Sequence, residues 1–206
     1  HREKVHAFRA MKQIGFGCRE VFSARRWAIT GEAGVFLDPL YSPGIDYIAI
    51  SNTMICDLIR QDRAGVAIEL TAARYQGIFL SLFQDNLQTY RDQYPLFGNP
   101  RVMSLKYVWD YALYWSFPAL LYFNHKLTDP RFFSELGEGI ETLRQLNRQM
   151  QQFFRDWDAA DRGHEVDPVF INQNEIGILK QLNADLRERM NDDLLRARFR
   201  RNVRIL

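Results

Sequence analysis

The fold of the first part of the chain is decided by the stretch Gly31-Glu32-Ala33-Gly34-Val35-Phe36-Leu37-Asp38-Pro39-Leu40-Tyr41-Ser42-Pro43-Gly44-Ile45-Asp46. Before it, the run Arg26–Thr30 predicts a short buried strand. After it, the apolar residues from Ile45 to Arg60 follow mainly helical spacing, which predicts a helix. A strand, a glycine-rich turn and a helix N-terminus bring backbone N–H groups and the positive end of a helix dipole together. This arrangement favours an electron-rich ligand, although a tight turn without any ligand has the same pattern.

The composition is that of a globular protein with a substantial core, since 47% of the 206 residues are apolar and 25% are charged. A formal net charge of +2 is too small to favour nucleic acid, which binds clustered basic surfaces. Cys18 and Cys56 make no disulfide framework and have no metal-ligand spacing, so a reducing cytoplasm and no metal are expected. The longest mostly apolar run, Tyr111–Phe123, contains Pro118 and is shorter than the ~20 residues of a membrane-spanning helix, so no membrane span is expected.

The remainder of the chain is expected to be α-helical. Apolar spacing predicts helices at about 64–90, 102–125, 131–158, 172–190 and 192–203. Pro118 is expected to kink or interrupt the helix at 102–125, and Thr128-Asp129-Pro130 to cap the next one. Residues 5–30 are expected to add short, irregular strands. The sequence therefore predicts a mainly α fold with a small strand-containing N-terminal part and a boundary between residues 62 and 63.

Six residues of the opening stretch fall at the offsets of a known motif: Gly31, Glu32, Ala33, Pro39, Ser42 and Gly44. The stretch resembles the second flavin-contacting motif of FAD-dependent monooxygenases and flavin-dependent halogenases, which runs Gly-Asp-Ala, then Pro, then a small residue and Gly. The halogenase branch is similar also through Phe36–Ser42, Cys18 and Trp27. The resemblance covers about residues 12–62. It implies that residues 1–62 are the C-terminal part of an α/β FAD-binding domain and that residues 63–206 form a helical domain.

The resemblance implies FAD as the cofactor. The Glu32 carboxylate, where most relatives carry Asp, is expected to accept hydrogen bonds from ribityl or ribose hydroxyls of FAD. The amides at Gly44 and the helix start are expected near flavin N1 and the C2 carbonyl, where reduced flavin holds negative charge. Asp38 and Pro39 would shape the corner beside the isoalloxazine, and Asp38 is alternatively a turn cap without a ligand. The residues implied to contact the cofactor are Gly31, Glu32, Ala33, Asp38, Pro39, Ser42, Pro43, Gly44 and Ile45.

The main phosphate-binding motif of such enzymes, a strand followed by G-x-G-x-x-G and a helix, is not found in the sequence. Gly15-Phe16-Gly17 has no third glycine in place, and Gly137-Glu138-Gly139 lies inside a helical pattern. The chain is therefore expected to be the C-terminal part of a longer flavoprotein, or to need a complementary chain that carries the dinucleotide-binding turn. Binding of FAD by this chain alone is expected to be weak or absent, and no catalytic residue is assigned.

The reaction implied by the resemblance is oxidation of a small organic substrate, free or held on a carrier protein. Halogenases are thought to hold halide with the two consecutive backbone amides that match Pro43 and Gly44. Because proline has no N–H, oxygenation is favoured over halogenation. A flavin-dependent reductase of unsaturated lipids shares the Gly-Asp-Ala…Pro pattern and stays an alternative. The rival from another class is a helical binding or scaffold module that has lost flavin chemistry.

Two features of the apolar sequence have both a structural and a functional interpretation. Cys18 is expected to be a small buried hydrophobe, and alternatively lines a substrate cavity. The aromatic residues around Trp109 and Trp115 have helical spacing and are expected in the core, although they could alternatively wall an apolar cavity.

Polar residues outside the opening stretch give weaker signals. His125 and His164 have no acid or cysteine at a spacing typical of a catalytic pair or a metal site, so neither is expected to be a base or a ligand. The arginine-rich end, 196–204, predicts a solvated helix face balanced by Asp192 and Asp193. Alternatively, this end docks an acidic partner such as a carrier protein, or a membrane surface.

Overall fold

The computed structural model describes residues 14–161 and 171–206. These residues are mainly helical, with a small two-stranded antiparallel sheet near the N-terminal end, which confirms the fold class expected from the sequence. The chain forms two compact units, one ending at Gln76 and the other beginning at Gly77. In the part of the chain that is described, no helix is both long enough and apolar enough to cross a membrane.

The sheet of the first unit is small. Strand β1 (Phe22–Ser23) pairs with strand β2 (Trp27–Ala28), with Phe22 opposite Ala28 and Ser23 opposite Trp27. The predicted strand at 26–30 is therefore in place, but the prediction that it is buried is wrong, since both β2 residues are exposed and Trp27 retains 37% of its surface. In this two-stranded sheet, it is β1 that contributes the buried side chains of the pair.

Helix α1 (Pro43–Arg63) follows the opening stretch. It begins two residues before the predicted Ile45, because the fixed φ of Pro43 suits the first helical position. Beyond its end, Gly65 has a φ of 74°, a conformation that does not continue a helix. The buried face of α1 has three- and four-residue spacing and carries Tyr47, Ile50, Ser51, Met54 and Leu58.

The remaining helices are α2 (Glu69–Tyr90), α3 (Pro100–Ser116), α4 (Pro118–Phe123), α5 (Pro130–Glu135), α6 (Gly137–Ala160), α7 (Gly177–Asp185) and α8 (Asp192–Ile205). The helix predicted at 102–125 is two helices, because Pro118 cannot donate to the previous turn and instead starts α4. The helix predicted at 131–158 is likewise divided, at Leu136. The helix predicted at 172–190 is shorter and is preceded by a 3-10 turn at Gln173–Glu175.

Polar caps mark three of these helix starts. Asp129 Oδ1 accepts a hydrogen bond from Phe132 N at 3.1 Å, with Pro130 as the first helical residue, which confirms the predicted cap of α5. Asn99 caps α3 and Asn191 caps α8 in the same way.

The second unit has its core between α3, α6 and α7. Trp109 is 9% exposed and packs with Leu96, Val102 and Phe154, so its core assignment is confirmed. Trp115 is partly buried at the edge of a neighbouring cluster formed by Ala112, Leu179 and Leu182.

Candidate functional site

Gly31 forms the turn between β2 and α1. Its φ is 51°, in the left-handed region, and it starts a 3-10 turn that runs to Ala33. A Cβ added there would overlap the Ile48 side chain and lie 3.1 Å from Ile48 Cα. The Gly31 N–H donates to Ser51 Oγ at 2.9 Å, and Ser51 Oγ donates to Tyr47 O at 2.6 Å. Glycine is thus required both by the backbone conformation and by the close approach of the turn to α1.

Glu32 places its side chain beside Gly44, in the first turn of α1. A Cβ added at Gly44 would overlap the Glu32 carboxylate and lie 2.5 Å from Cδ. Gly44 is buried, whereas Glu32 and the neighbouring Ala33 are exposed. Ser42, the N-cap of α1, has a φ of 56° and makes no side-chain cap. The corner therefore brings a carboxylate to the start of α1, where the Ser42 side chain accepts no hydrogen bond from the first amides of the helix.

Asp38 and Pro39 form a separate local turn. Asp38 Oδ1 accepts a hydrogen bond from Leu40 N at 2.9 Å, and the Pro39 carbonyl accepts one from Ser42 N at 2.9 Å. This geometry fits the interpretation of Asp38 as a turn residue. Of the other predicted site residues, Pro43 is buried at the start of α1 and Ile45 is 71% exposed. The structure thus brings Gly31, Glu32 and Gly44 into one corner.

Sequence reasoning missed a buried polar cluster in the second unit, centred on Lys106. Lys106 is completely buried, and its Nζ donates to Asp110 Oδ2 at 2.6 Å, to Gln151 Oε1 at 2.9 Å and to Thr89 O at 3.0 Å. These three bonds use all the protons of the ammonium group. Burial lowers the pKa of Lys106, and the charge of Asp110 opposes that shift.

The rest of that cluster is also hydrogen-bonded. Gln151 Nε2 donates to Asp110 Oδ1 at 2.8 Å and to Asn147 Oδ1 at 3.0 Å, and Trp109 Nε1 donates to Asn147 Oδ1 at 3.0 Å. With the donors committed, the arrangement fits a structural role better than binding of a substrate. The one sequence signal is a Lys–Asp pair with four-residue spacing inside a mostly apolar helix.

A groove of about 450 Å³ lies in the second unit. Its lining is mostly apolar and includes Phe97, Met103 and Ile176, but neither Trp109 nor Trp115. Tyr107, also in the lining, donates to Tyr111 Oη at 3.1 Å. Burial, reinforced by this bond, raises the pKa of Tyr111 to about 12. The groove is a mostly apolar cavity, but it is lined by Tyr107 and Val108 and not by the two tryptophans for which a cavity was the alternative.

Cys18 and His125 are not among the residues of the sites described above. Cys18 is half-buried, and burial raises the pKa of its thiol, which makes it a poor nucleophile. His125 is exposed, and His164 lies outside the described residues. Within 14–161 and 171–206, no group of three or more His, Cys, Asp or Glu side chains could hold a metal ion.

The arginines of α8 are largely paired with acids. Arg196 contacts Glu135 at 2.7 Å and Asp193 at 3.0 Å, as the balanced-face interpretation expects. Asp192 pairs instead with Lys126, at 2.8 Å. Docking of this helix on an acidic partner or a membrane surface stays a prediction.

Compared with protein-family models, curated proteins and solved structures, the chain matches none. The corner formed by Gly31, Glu32 and Gly44 therefore has to be interpreted from its own chemistry. It offers hydrogen-bond acceptors on an exposed carboxylate and the positive end of a 21-residue helix. That combination suits a ligand with both hydroxyl groups and an electron-rich edge.

Proposed function

We propose that the chain is the part of a FAD-dependent oxidoreductase that contacts the ring and the ribityl chain of the flavin. The observation that carries the proposal is the position of the Glu32 side chain beside Gly44 at the start of α1. A carboxylate accepts hydrogen bonds from the ribityl hydroxyls. A helix N-terminus stabilises the negative charge of reduced flavin, typically by ~0.3–1 kcal/mol at exposed sites and more where the site is partly buried.

The fit to flavin is supported by the shape of the corner. A Cβ at Gly44 would overlap the Glu32 carboxylate, so glycine is the residue that lets this carboxylate lie against the helix start. Gly31 holds the turn against α1 and so fixes where Glu32 projects. FAD, when bound, supplies the redox chemistry, and these residues orient it. The adenine and pyrophosphate would be held by a preceding polypeptide or a complementary chain.

The substrate class follows from the same stretch. Pro43 is the first residue of α1 and has no N–H, so a halide would lack one of its two backbone donors. We therefore favour oxygenation of a small organic substrate, free or carrier-bound, over halogenation. Reduction of an unsaturated lipid is the alternative within flavin chemistry.

A scaffold module without flavin is the rival function, and one observation favours it. The Glu32 carboxylate itself stands at the helix start, where it can serve the α1 dipole without any ligand. In that case, Glu32 and Gly44 would be a local stabilising pair.

Flavin fluorescence titrations separate the two functions. Riboflavin and FAD should bind with similar weak affinity, since the chain contacts only the ring and ribityl parts, and ADP should not compete. Gly44→Val should abolish binding, whereas Gly77→Val, at a helical position with no atom within 4 Å of an added Cβ, should not. No flavin binding by the unsubstituted chain would argue for the scaffold, and competition by ADP or equal affinity in the Gly44→Val variant would contradict binding at this corner.

A further inference from the structure

The turn after α7 and helix α8 carry more basic than acidic side chains. Residues 185–206 contain seven arginines, four acids and no lysine, so seven positive less four negative charges leave +3. We call residues 185–206 the arginine corner. Helix α8 packs on the second unit through its buried residues Leu195 and Phe199, and the opposite side of the helix faces solvent.

All four acids of the arginine corner are neutralised within the chain. Each lies in an ion pair: Asp185 with Arg198 and Arg201, Glu188 with Arg198, Asp192 with Lys126, and Asp193 with Arg196. The acids are therefore used by three of the seven arginines and by one lysine from outside the segment.

Four arginines of the corner have no acidic partner among residues 14–161 and 171–206, and all four are exposed: Arg187, Arg189, Arg200 and Arg204. The first two flank Glu188, whose carboxylate lies 2.8 Å from Arg198. The turn that carries them is therefore beside the middle of α8. Since residues 198 and 204 are about 9 Å apart along the helix axis, the uncompensated charge is concentrated around the C-terminal half of α8.

Exposed aliphatic side chains lie among these charges. Leu194 and Ile205 keep 39% and 44% of their surface. At about 100° per residue, these two side chains, Arg200 and Arg204 fall within an arc of about 140° of α8, away from its buried residues. The acid in this arc, Asp193, is neutralised by its ion pair. A face that combines arginines with aliphatic side chains is typical of helices that lie on a membrane surface.

We propose that the arginine corner attaches the chain to the surface of a membrane that contains anionic phospholipids. Lipid phosphates accept paired hydrogen bonds from guanidinium groups, and the acyl boundary takes up the aliphatic side chains. Single-stranded nucleic acid favours aromatic side chains on which bases stack, and the one aromatic residue of the corner, Phe199, is 1% exposed. A protein interface favours a compact apolar centre, whereas Leu194 and Ile205 are about 16 Å apart along α8.

The attachment is expected to be reversible. Each arginine near an anionic surface increases the partition coefficient by about fivefold. This attraction acts between exposed charges, so salt screens it. The inference does not rest on the flavin function.

Co-sedimentation with lipid vesicles tests the attachment. The chain should bind vesicles of phosphatidylcholine and phosphatidylserine at about 0.1 M salt and leave them at about 1 M salt, because the Debye length falls from about 10 Å to about 3 Å. Vesicles of phosphatidylcholine alone should bind more weakly by more than ~100-fold, since none of the four charges is then attracted. No binding to the phosphatidylserine vesicles, or equal binding to both kinds, would overturn the proposal.

Substitutions locate the contact. Arg200→Gln combined with Arg204→Gln should weaken vesicle binding by about 25-fold, and lysine at both positions should preserve it. Arg74→Gln combined with Arg91→Gln is the matched control, because it removes two exposed arginines without acidic partners in the described chain, outside the corner. An equal loss of binding in this control would overturn the proposal.

Ile205→Ser separates a lipid surface from other polyanions. It should weaken binding to phosphatidylserine vesicles and leave binding to heparin, a soluble polyanion, unchanged. Vesicle binding that is unaffected by Ile205→Ser would overturn the proposal, since the corner would then be a general site for nucleic acid or acidic protein.

Discussion

Replacing Gly31 with alanine should selectively destabilise the first unit. Alanine in the left-handed region costs about 1–2 kcal/mol. The added methyl would also overlap Ile48, and overpacking of this kind typically costs about 1–3 kcal/mol. The two terms together predict a loss of roughly 2–5 kcal/mol, since α1 cannot retreat without breaking the bond from Gly31 N to Ser51 Oγ.

Hydrogen exchange measured by mass spectrometry reports this loss of stability separately for each segment of the chain. Amides of the buried face of α1, at Met54 and Leu58, should exchange about 30- to 4,000-fold faster in the variant if they open with the first unit. Gly77→Ala is the matched control: it adds a methyl into open space on an exposed helical turn, and should stabilise α2 by about 0.5–1 kcal/mol. If the α1 amides of Gly31→Ala exchange as slowly as in the wild type, the account of the Gly31 turn is refuted.

Three further predictions concern the second unit. Lys106→Met should cost about 3–5 kcal/mol in urea unfolding, because it leaves the buried Asp110 without its cation, and adding Asp110→Leu should recover most of that loss. If Lys106→Met alone is as stable as the wild type, this account of the Lys106–Asp110 pair is contradicted. Because the pKa of Tyr111 in the folded chain is raised to about 12, the free energy of unfolding should fall as pH rises from about 10 to about 12. Tyr111→Phe should remove this contribution and so reduce the slope of that free energy against pH by up to one proton in this window. An unchanged slope of the unfolding free energy against pH in Tyr111→Phe would contradict the raised pKa of Tyr111. Gly139→Ala should lower the melting temperature, because the new Cβ would lie 2.6 Å from Phe199 Cε1; an equal or higher value would show that α8 moves away freely.

Much of the helical architecture could be predicted because its signals are local. The cap at Asp129 depends on one side chain and the backbone of the next turn, and the break before α4 depends on the missing N–H of Pro118. The helix boundaries that differ from the prediction also have local causes. Gly65, with its positive φ, delays the start of α2 to Glu69.

What could not be predicted depends on contacts between distant parts of the chain. The apolar run predicts the strand β2, but it does not reveal which of two paired strands buries its side chains, and here β1 does so. The Lys106 cluster joins α3 to Gln151 of α6 and to the carbonyl of Thr89. Likewise, the motif offsets suggested that Glu32 and Gly44 belong to one site, but only the turn at Gly31 places the carboxylate beside the helix start.

The central claim is that the Gly31–Gly44 corner contacts the flavin ring and ribityl chain. The most direct test is a titration of the ¹⁵N-labelled chain with riboflavin, followed by NMR. The account predicts chemical-shift changes concentrated at the amides of Gly31, Glu32, Gly44 and Ile45, at millimolar flavin, with none from ADP. Unchanged amides at this corner, or changes centred on the groove near Tyr107, would contradict it.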